Sequence, residues 1–259
     1  MTLSNKDLND LKYAKKLLEH PSIVVKITGI LNIPVARVLE FLPTTWSDSI
    51  QRITMDALGR ALDFAVMTMD DYPTSESSEF IHKIIAATSG AVGGAFGLTG
   101  LGVELPVSTI LMLRSIADIA RSEGEDIKSI EAKLACLEVF ALGGISRSDD
   151  AAETGYFAVR AALANEVSNA AKFIATKGLI DKGAPSIVKF IGAVAPRFGI
   201  NVTEKIAAQS IPVVGASGGI LINTIFISHF QDIARGHFIV RRLERSYGKK
   251  EVQLQFEQF

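Results

Sequence analysis

The chain has a single cysteine, Cys136, among 259 residues. That excludes internal disulfides and cysteine-built zinc sites, and it fits a reducing compartment. Charge of either sign is not in excess: the formal net charge is −1, so there is no overall electrostatic attraction to nucleic acid. Phosphate-binding signatures are also missing. The run Gly97-Leu98-Thr99-Gly100-Leu101-Gly102 lacks G-x-G-x-x-G spacing and a preceding strand, and there is no P-loop. No series of alternating β-branched runs marks out a sheet. The first residues are polar and acidic where a secretory signal would be basic and then apolar. The expected location is therefore the cytoplasm.

The most telling absence is local. Residues 84–103 and 206–231 contain no Lys, Arg, Asp or Glu. The first stretch is punctuated by Gly90, Gly93, Gly94, Gly97, Gly100 and Gly102, the second by Gly215, Gly218 and Gly219. Each leads into a helix with the same ending, Asp118-Ile119-Ala120-Arg121 and Asp232-Ile233-Ala234-Arg235. A glycine-rich apolar segment feeding such a helix thus occurs twice, which suggests a pseudo-repeat. Small residues let backbones approach closely in a helix core or at a lipid surface. Gly93, Gly94, Gly97, Gly215, Gly218 and Gly219 are the candidates for that close packing.

Periodicity elsewhere is helical almost throughout. Helices are expected near residues 8–20, 23–31, 47–67, 106–124, 127–142, 148–177, 185–198, 202–209 and 215–247. Pro106 would open the fourth of them, where its missing N–H costs nothing. Gly178 would stop the 148–177 helix. Only residues 251–255 alternate like a strand. The expectation is an all-α, compact multi-helix bundle with two glycine-rich apolar helical segments. It divides into an N-terminal helical segment (1–75), a main helical domain (76–250) and a C-terminal tail (251–259), or forms one compact domain overall.

Few side chains suggest chemistry. At 100° per residue, Arg114, Asp118 and Arg121 fall within about 60° of one another, one charged stripe along a helix. It is either a solvated face with weak ion pairs or an internal polar seam. In the 127–142 helix, Glu138 lies about 40° from Leu134 and intrudes on the apolar arc. A carboxylate there needs a cationic partner, and Arg114 is the nearest in the chain. A buried structural pair and a binding site for a polar headgroup are both open. Together Glu104, Arg114, Asp118, Arg121 and Glu138 form the expected polar lining of a ligand site.

Three further patterns are weaker. Gly215-Ala216-Ser217-Gly218-Gly219 matches the serine-hydrolase G-x-S-x-G but lacks the strand and the parallel sheet that the motif needs. Only Asp232, His229 and His237 follow it as triad partners within the same helix. Glu79-Phe80-Ile81-His82 is a lone Glu-x-x-His where a di-iron bundle needs two, so no metal or other cofactor is expected. Six Lys or Arg fall between Asp232 and Glu251 against three acids. They form either a solvated helix end or a surface for anionic lipid headgroups.

Several blocks taken together resemble the EcsC family, named after a bacterial protein encoded beside an ABC transporter. They are Gly100-Leu101-Gly102-Val103-Glu104-Leu105-Pro106, Met112-Leu113-Arg114-Ser115-Ile116-Ala117-Asp118-Ile119-Ala120-Arg121 and Gly124-Glu125-Asp126. Leu134-Ala135-Cys136-Leu137-Glu138-Val139-Phe140-Ala141-Leu142-Gly143-Gly144 follows, then Ile211-Pro212-Val213-Val214-Gly215-Ala216 with Asn223. The resemblance implies a helical bacterial protein tied to membrane or transporter biology, and it brings no catalytic residue with it. The resulting expectation is a non-enzymatic, membrane-associated or lipid-binding accessory protein, peripheral at the inner membrane face. Its partners would be membrane lipids or a membrane transporter. The alternative is a hydrolase using Ser217 or the Glu104, Asp118 and Glu138 carboxylates. An integral protein is disfavoured, because six glycines make the first segment a poor span and charges follow it too soon.

Overall fold

A computed structural model of the chain describes residues 3–19, 46–68, 97–143, 155–178, 183–209 and 215–259, together with Ile23, Val25, Lys26 and Gly29. The described residues form eight helices and no strand. Of the helix expected near residues 23–31, the four residues Ile23, Val25, Lys26 and Gly29 are described and all are helical. The expected loop at 72–78 and the start of the helix at Glu79 lie outside the described residues.

Helix α1 (Asn5–Leu18) begins where Ser4 Oγ accepts a hydrogen bond from the Asp7 amide, and it buries Leu11, Ala14, Leu17 and Leu18. That side-chain cap satisfies one of the orphan amides of the first turn. Helix α2 (Ser47–Thr68) buries Ile50, Ala57, Leu58, Ala61, Leu62 and Ala65 on one stripe, and its small residues let it lie close to its neighbours. Helix α3 (Gly97–Ser122) runs straight through Pro106 instead of starting there. The residue four places back, whose carbonyl loses its donor and would meet the proline ring, is the exposed Gly102. Helix α6 (Pro185–Gln209) does the same at Pro196, again with an exposed glycine, Gly192, four residues before. The two short helices expected at 185–198 and 202–209 are therefore one.

Helix α3 ends in a paired turn. Glu125 N–H bonds the Ala120 carbonyl, Gly124 N–H bonds the Arg121 carbonyl, and Gly124 sits at φ 80°. This is the left-handed glycine stop of a Schellman motif. Helix α4 (Ile130–Leu142) starts one turn later under the Ser129 cap and is buried continuously from Ala132 to Leu142. A helix buried on all sides belongs in the middle of a bundle, and α4 contacts α2, α3, α5, α6 and α7. Helix α5 (Tyr156–Lys177) stops at Gly178, as expected, with φ 67°.

Helix α7 (Gly215–Tyr247) is the longest at 33 residues, roughly 50 Å at 1.5 Å per residue. It crosses α1 at Gly236, where an added Cβ would stand 2.8 Å from Leu18 Cγ and 3.0 Å from the Ala14 carbonyl oxygen. At Gly143 a Cβ would meet Phe230 at 2.9 Å, so these two glycines admit the close approaches. Of the glycines proposed for that role, Gly93 and Gly94 lie outside the described residues. Gly97 opens α3, while Gly215, Gly218 and Gly219 form the first turns of α7. Helices α3 and α7, which carry the two Asp-Ile-Ala-Arg endings, pack together. Ala120 and Ala234 are fully buried, and Gln231 Nε2 donates to Ser115 Oγ at 2.7 Å.

The expected strand at 251–255 is instead helical. Helix α8 (Lys249–Glu257) follows a break at Gly248, φ 86°, and buries Val252 and Phe256, which are four residues apart. That spacing fits a helical face as well as the alternation fits a strand, and packing on α1 and α7 decides. At the centre of the bundle Phe140, Phe198, Phe226 and Phe230 interlock, with the Phe140–Phe198 ring centroids 4.8 Å apart.

Candidate functional site

Small residues on α5 open a groove. Ala161, Ala164, Ser168 and Ala171 share one side of that helix, and none is large enough to fill the space towards α8. The opening has a volume of about 1250 Å³. Its floor is Glu131, Ala135 and Glu138, one face of α4, while Arg241 and Glu244 of α7 close one end. Tyr156, Phe157 and Phe256 supply aromatic walls. Lys15, Lys172 and Lys249 stand among the lining side chains as well.

The closed end is a network of buried charge. Arg160 of α5 makes a two-pronged contact with Glu244 of α7, at 2.8 and 2.9 Å. Arg241 grips Glu125, just past α3, in the same way at 2.8 and 3.1 Å. Such forked pairs are the strongest of the charge-assisted hydrogen bonds. Burial pushes the Glu125 carboxyl up, but the bonds and charges of Arg241 and Arg245 outweigh it and hold the group below the usual carboxylate range.

Glu138 sits between these pairs and belongs to neither. It is 5% exposed, and among the described residues no hydrogen bond or salt bridge reaches its carboxylate. Burial raises its pKa above the ordinary value, and the attraction of Arg160 and Arg241 does not offset that. The expected burial is correct. The expected partner is not: Arg160 and Arg241 are its cationic neighbours, and Arg114 does not line the groove.

Beside them Tyr156 Oη lies 2.9 Å from His237 Nδ1. His237 is fully buried, and its Nε2 has no partner among the described residues. Burial, reinforced by the positive charge of Arg160 and Arg241, pulls its pKa well below the ordinary value. The ring is neutral at physiological pH. Tyr156 stacks on Phe256 at 5.9 Å and meets Phe157 edge-on at 4.9 Å, with the Arg160 guanidinium 5.2 Å from its ring centre.

The remaining sequence-selected residues are scattered. Glu104 is buried against Lys205 Nζ of α6 at 2.5 Å, and that ammonium also lies 4.8 Å from the Phe226 ring centre. Arg114 is half-buried on α3. Asp118 and Arg121 form an exposed pair at 2.7 Å, which is the solvated-face alternative. Of the five, only Glu138 lines the groove.

Four groove residues, Tyr156, Arg160, Arg241 and Glu244, are absent from the sequence-based site, and His237, which bonds Tyr156 from behind the lining, figures there only as a triad partner. A signal for Arg241 and His237 is present in the sequence. His237 and Arg241 stand four apart on a helix, flanked by Phe238, Ile239 and Val240, so their stripe turns inward. By composition alone the same run fits a solvated or lipid-facing end. Arg242 binds Asp10 and Glu123, both at 2.8 Å, and Arg245 joins Glu125. Arg235, Lys249 and Lys250 are the exposed remainder.

Other sequence patterns lead elsewhere. The G-x-S-x-G match falls in the first turns of α7, and no strand occurs among the described residues. Its triad candidates are placed apart in function. His229 Nε2 lies 3.0 Å from the Gly143 carbonyl, His237 lies on Tyr156, and Asp232 lies 3.4 Å from Lys26. Among the described residues no group of three or more His, Cys, Asp or Glu could hold a metal ion, and Glu79 and His82 lie outside them. One described helix, residues 100–122, is long and apolar enough to cross a membrane, and 56% of that window is buried in the bundle.

The sequence profile of the EcsC protein family matches residues 43–243, a span that includes α2 to α6 and most of α7. No curated protein and no solved structure matches the chain.

Proposed function

The chain belongs to the EcsC protein family, and from that premise we propose that it is a non-enzymatic accessory protein that binds an amphiphilic, lipid-like ligand. The observation that carries this reading is the groove itself, an alanine-lined trough ending in buried charge. Its volume of about 1250 Å³ exceeds the roughly 300–1000 Å³ of sites for drug-sized molecules and suits a chain with a headgroup. An apolar tail would lie along Ala161, Ala164 and Ala171, and the head would reach the charged end. A ligand of this kind puts the protein at a membrane surface, peripheral at the inner face and beside lipids or a transporter.

The test is lipid retention. Purified protein is incubated with vesicles of a bacterial lipid extract, re-isolated, and weighed intact by native mass spectrometry. The wild-type chain should carry lipid, and Ala164→Trp, which fills the trough from an exposed position on α5, should carry none while keeping its helical circular dichroism. A lipid-free wild type, or undiminished binding by Ala164→Trp, overturns the reading. Membrane washes complete the test: release by high salt fits peripheral association, and extraction by detergent alone contradicts it.

A further inference from the structure

We propose that the charged end of the groove is a receptor for a positively charged headgroup, an amine or quaternary ammonium, with Glu138 as its counter-ion. The proposal rests on the reading of the groove as an amphiphile site and adds the chemistry of the head.

The argument is a charge count. Two half-buried guanidiniums stand at this end and each already holds a carboxylate in a forked pair: Arg160 with Glu244, and Arg241 with Glu125. Glu138 is the third carboxylate, and among the described residues nothing bonds to it. With Glu138 ionised, the state that a bound cation favours, the five groups carry one negative charge too many. Arg245 also reaches Glu125, but from the outer side, where it is 43% exposed and bonded to the Glu123 carbonyl as well. Its charge is screened there by water. Lys249 of α8, whose charge also acts on Glu138, is exposed and screened in the same way, and His237, bonded to Tyr156, is neutral.

An anionic head would fit badly. It would have to displace Glu244 or Glu125 from a guanidinium that they hold with two bonds, and it would face Glu138 at close range. A cation meets the opposite situation. It supplies the partner that a buried carboxylate requires, and it does so next to rings. Tyr156, Phe157 and Phe256 line the same groove, and aromatic faces attract ammonium groups, most of all desolvated ones. The apolar walls and the unpaired acid thus select the same head chemistry.

The experiment compares single-chain probes below their critical micelle concentrations by isothermal titration calorimetry. The probes are dodecyltrimethylammonium, dodecyl sulfate and the uncharged dodecyl maltoside, with tetramethylammonium as a head without a chain. The expected result is that dodecyltrimethylammonium binds about tenfold or more tighter than dodecyl maltoside, that dodecyl sulfate binds more weakly than both, and that Glu138→Gln removes the preference without weakening dodecyl maltoside. The wild-type ranking alone tests the idea, whatever the variant's folding yield.

Equal affinities for the three amphiphiles, or a preference for dodecyl sulfate, overturns the cationic head and leaves the groove reading standing. No binding by any of them overturns both. Tetramethylammonium binding as tightly as the long-chain cation would retain the Glu138 counter-ion and overturn the lipid reading, assigning a small free amine instead of a membrane amphiphile.

Discussion

Glu104 and Glu138 are both carboxylates on the inward face of a helix, 8% and 5% exposed, yet their surroundings differ. Around Glu104 the bundle is finished: Lys205 Nζ stands 2.5 Å away and is itself held against Phe226. Around Glu138 it is left open: two arginines lie near, and both are committed to other acids. A buried charge with a partner is a structural element. A buried charge without one is destabilising, and a protein retains such a residue where something outside the fold completes it. On the proposed reading the two halves of the bundle have different roles, α2, α3 and α6 as scaffold and α4, α5, α7 and α8 as receptor.

The sharpest way to break that contrast is to remove the partner from the finished pair. Lys205→Met leaves Glu104 charged and enclosed, and it should cost about 3–5 kcal/mol in chemical denaturation. Adding Glu104→Gln should return a large part of the loss, because the orphaned charge is gone. Loss below ~1 kcal/mol in the single variant would mean that water reaches Glu104 and that the scaffold side is no more closed than the groove.

Arg160→Met probes the open side and should cost less, about 1.5–3 kcal/mol, the range for hydrogen bonds to charged groups. It frees Glu244 and takes positive charge from beside Glu138, but the groove admits water to both. A cost equal to or above that of Lys205→Met in the same titration would erase the distinction between the two regions.

Glu138→Gln should act in the opposite direction. The carboxyl's pKa is raised in the folded chain, so between the ordinary 4.5 and that raised value the folded state binds more protons than the unfolded one. Stability from this group is complete below the unfolded value and falls as pH rises through the folded one. Glutamine removes that slope. The variant should melt a few degrees higher than wild type at neutral pH, as about 1 kcal/mol would give in a chain of this length, and the gap should close as pH approaches 4.5. A variant that melts lower at pH 7 would show that Glu138 has a stabilising partner, which would end its candidacy as a receptor.

How much of this was readable in the chain depends on how far each inference had to reach. Helix positions, the stop at Gly178 and the burial of Glu138 follow from residues within one or two turns, and the sequence carries them directly. The continuation through Pro106 and Pro196 depends on glycines four residues earlier, a local cue that proline's reputation as a helix breaker obscured. The helical character of 251–257 depends on Phe256 and Val252 meeting α1 and α7, which no short window contains. The partners at the groove are farthest of all. Arg160 meets Glu244 across 84 residues and Arg241 meets Glu125 across 116, so Arg241 and Arg242 are half-buried within a basic run whose other members are exposed. Arg114 was a poor choice as partner because closeness along the chain does not bring helices face to face.

The smallest expected effect belongs to Asp118, and it separates what the sequence grouped together. Glu104, Asp118 and Glu138 entered as one set of carboxylates, two of which are buried. Asp118 is 60% exposed at its side chain and paired with an Arg121 that is 40% exposed, at 2.7 Å. Pairs of this kind are worth roughly 0–1 kcal/mol, since water solvates both ions and holding two side chains in place costs entropy. Asp118→Ala should therefore shift stability by no more than about 0.5 kcal/mol and leave binding of dodecyltrimethylammonium within about twofold of wild type, a change of ~0.4 kcal/mol. The same titration and calorimetry that test Lys205 and Glu138 would measure it. A loss of binding in Asp118→Ala would place the ligand on α3, away from the groove, and would restore the polar stripe that the sequence first suggested.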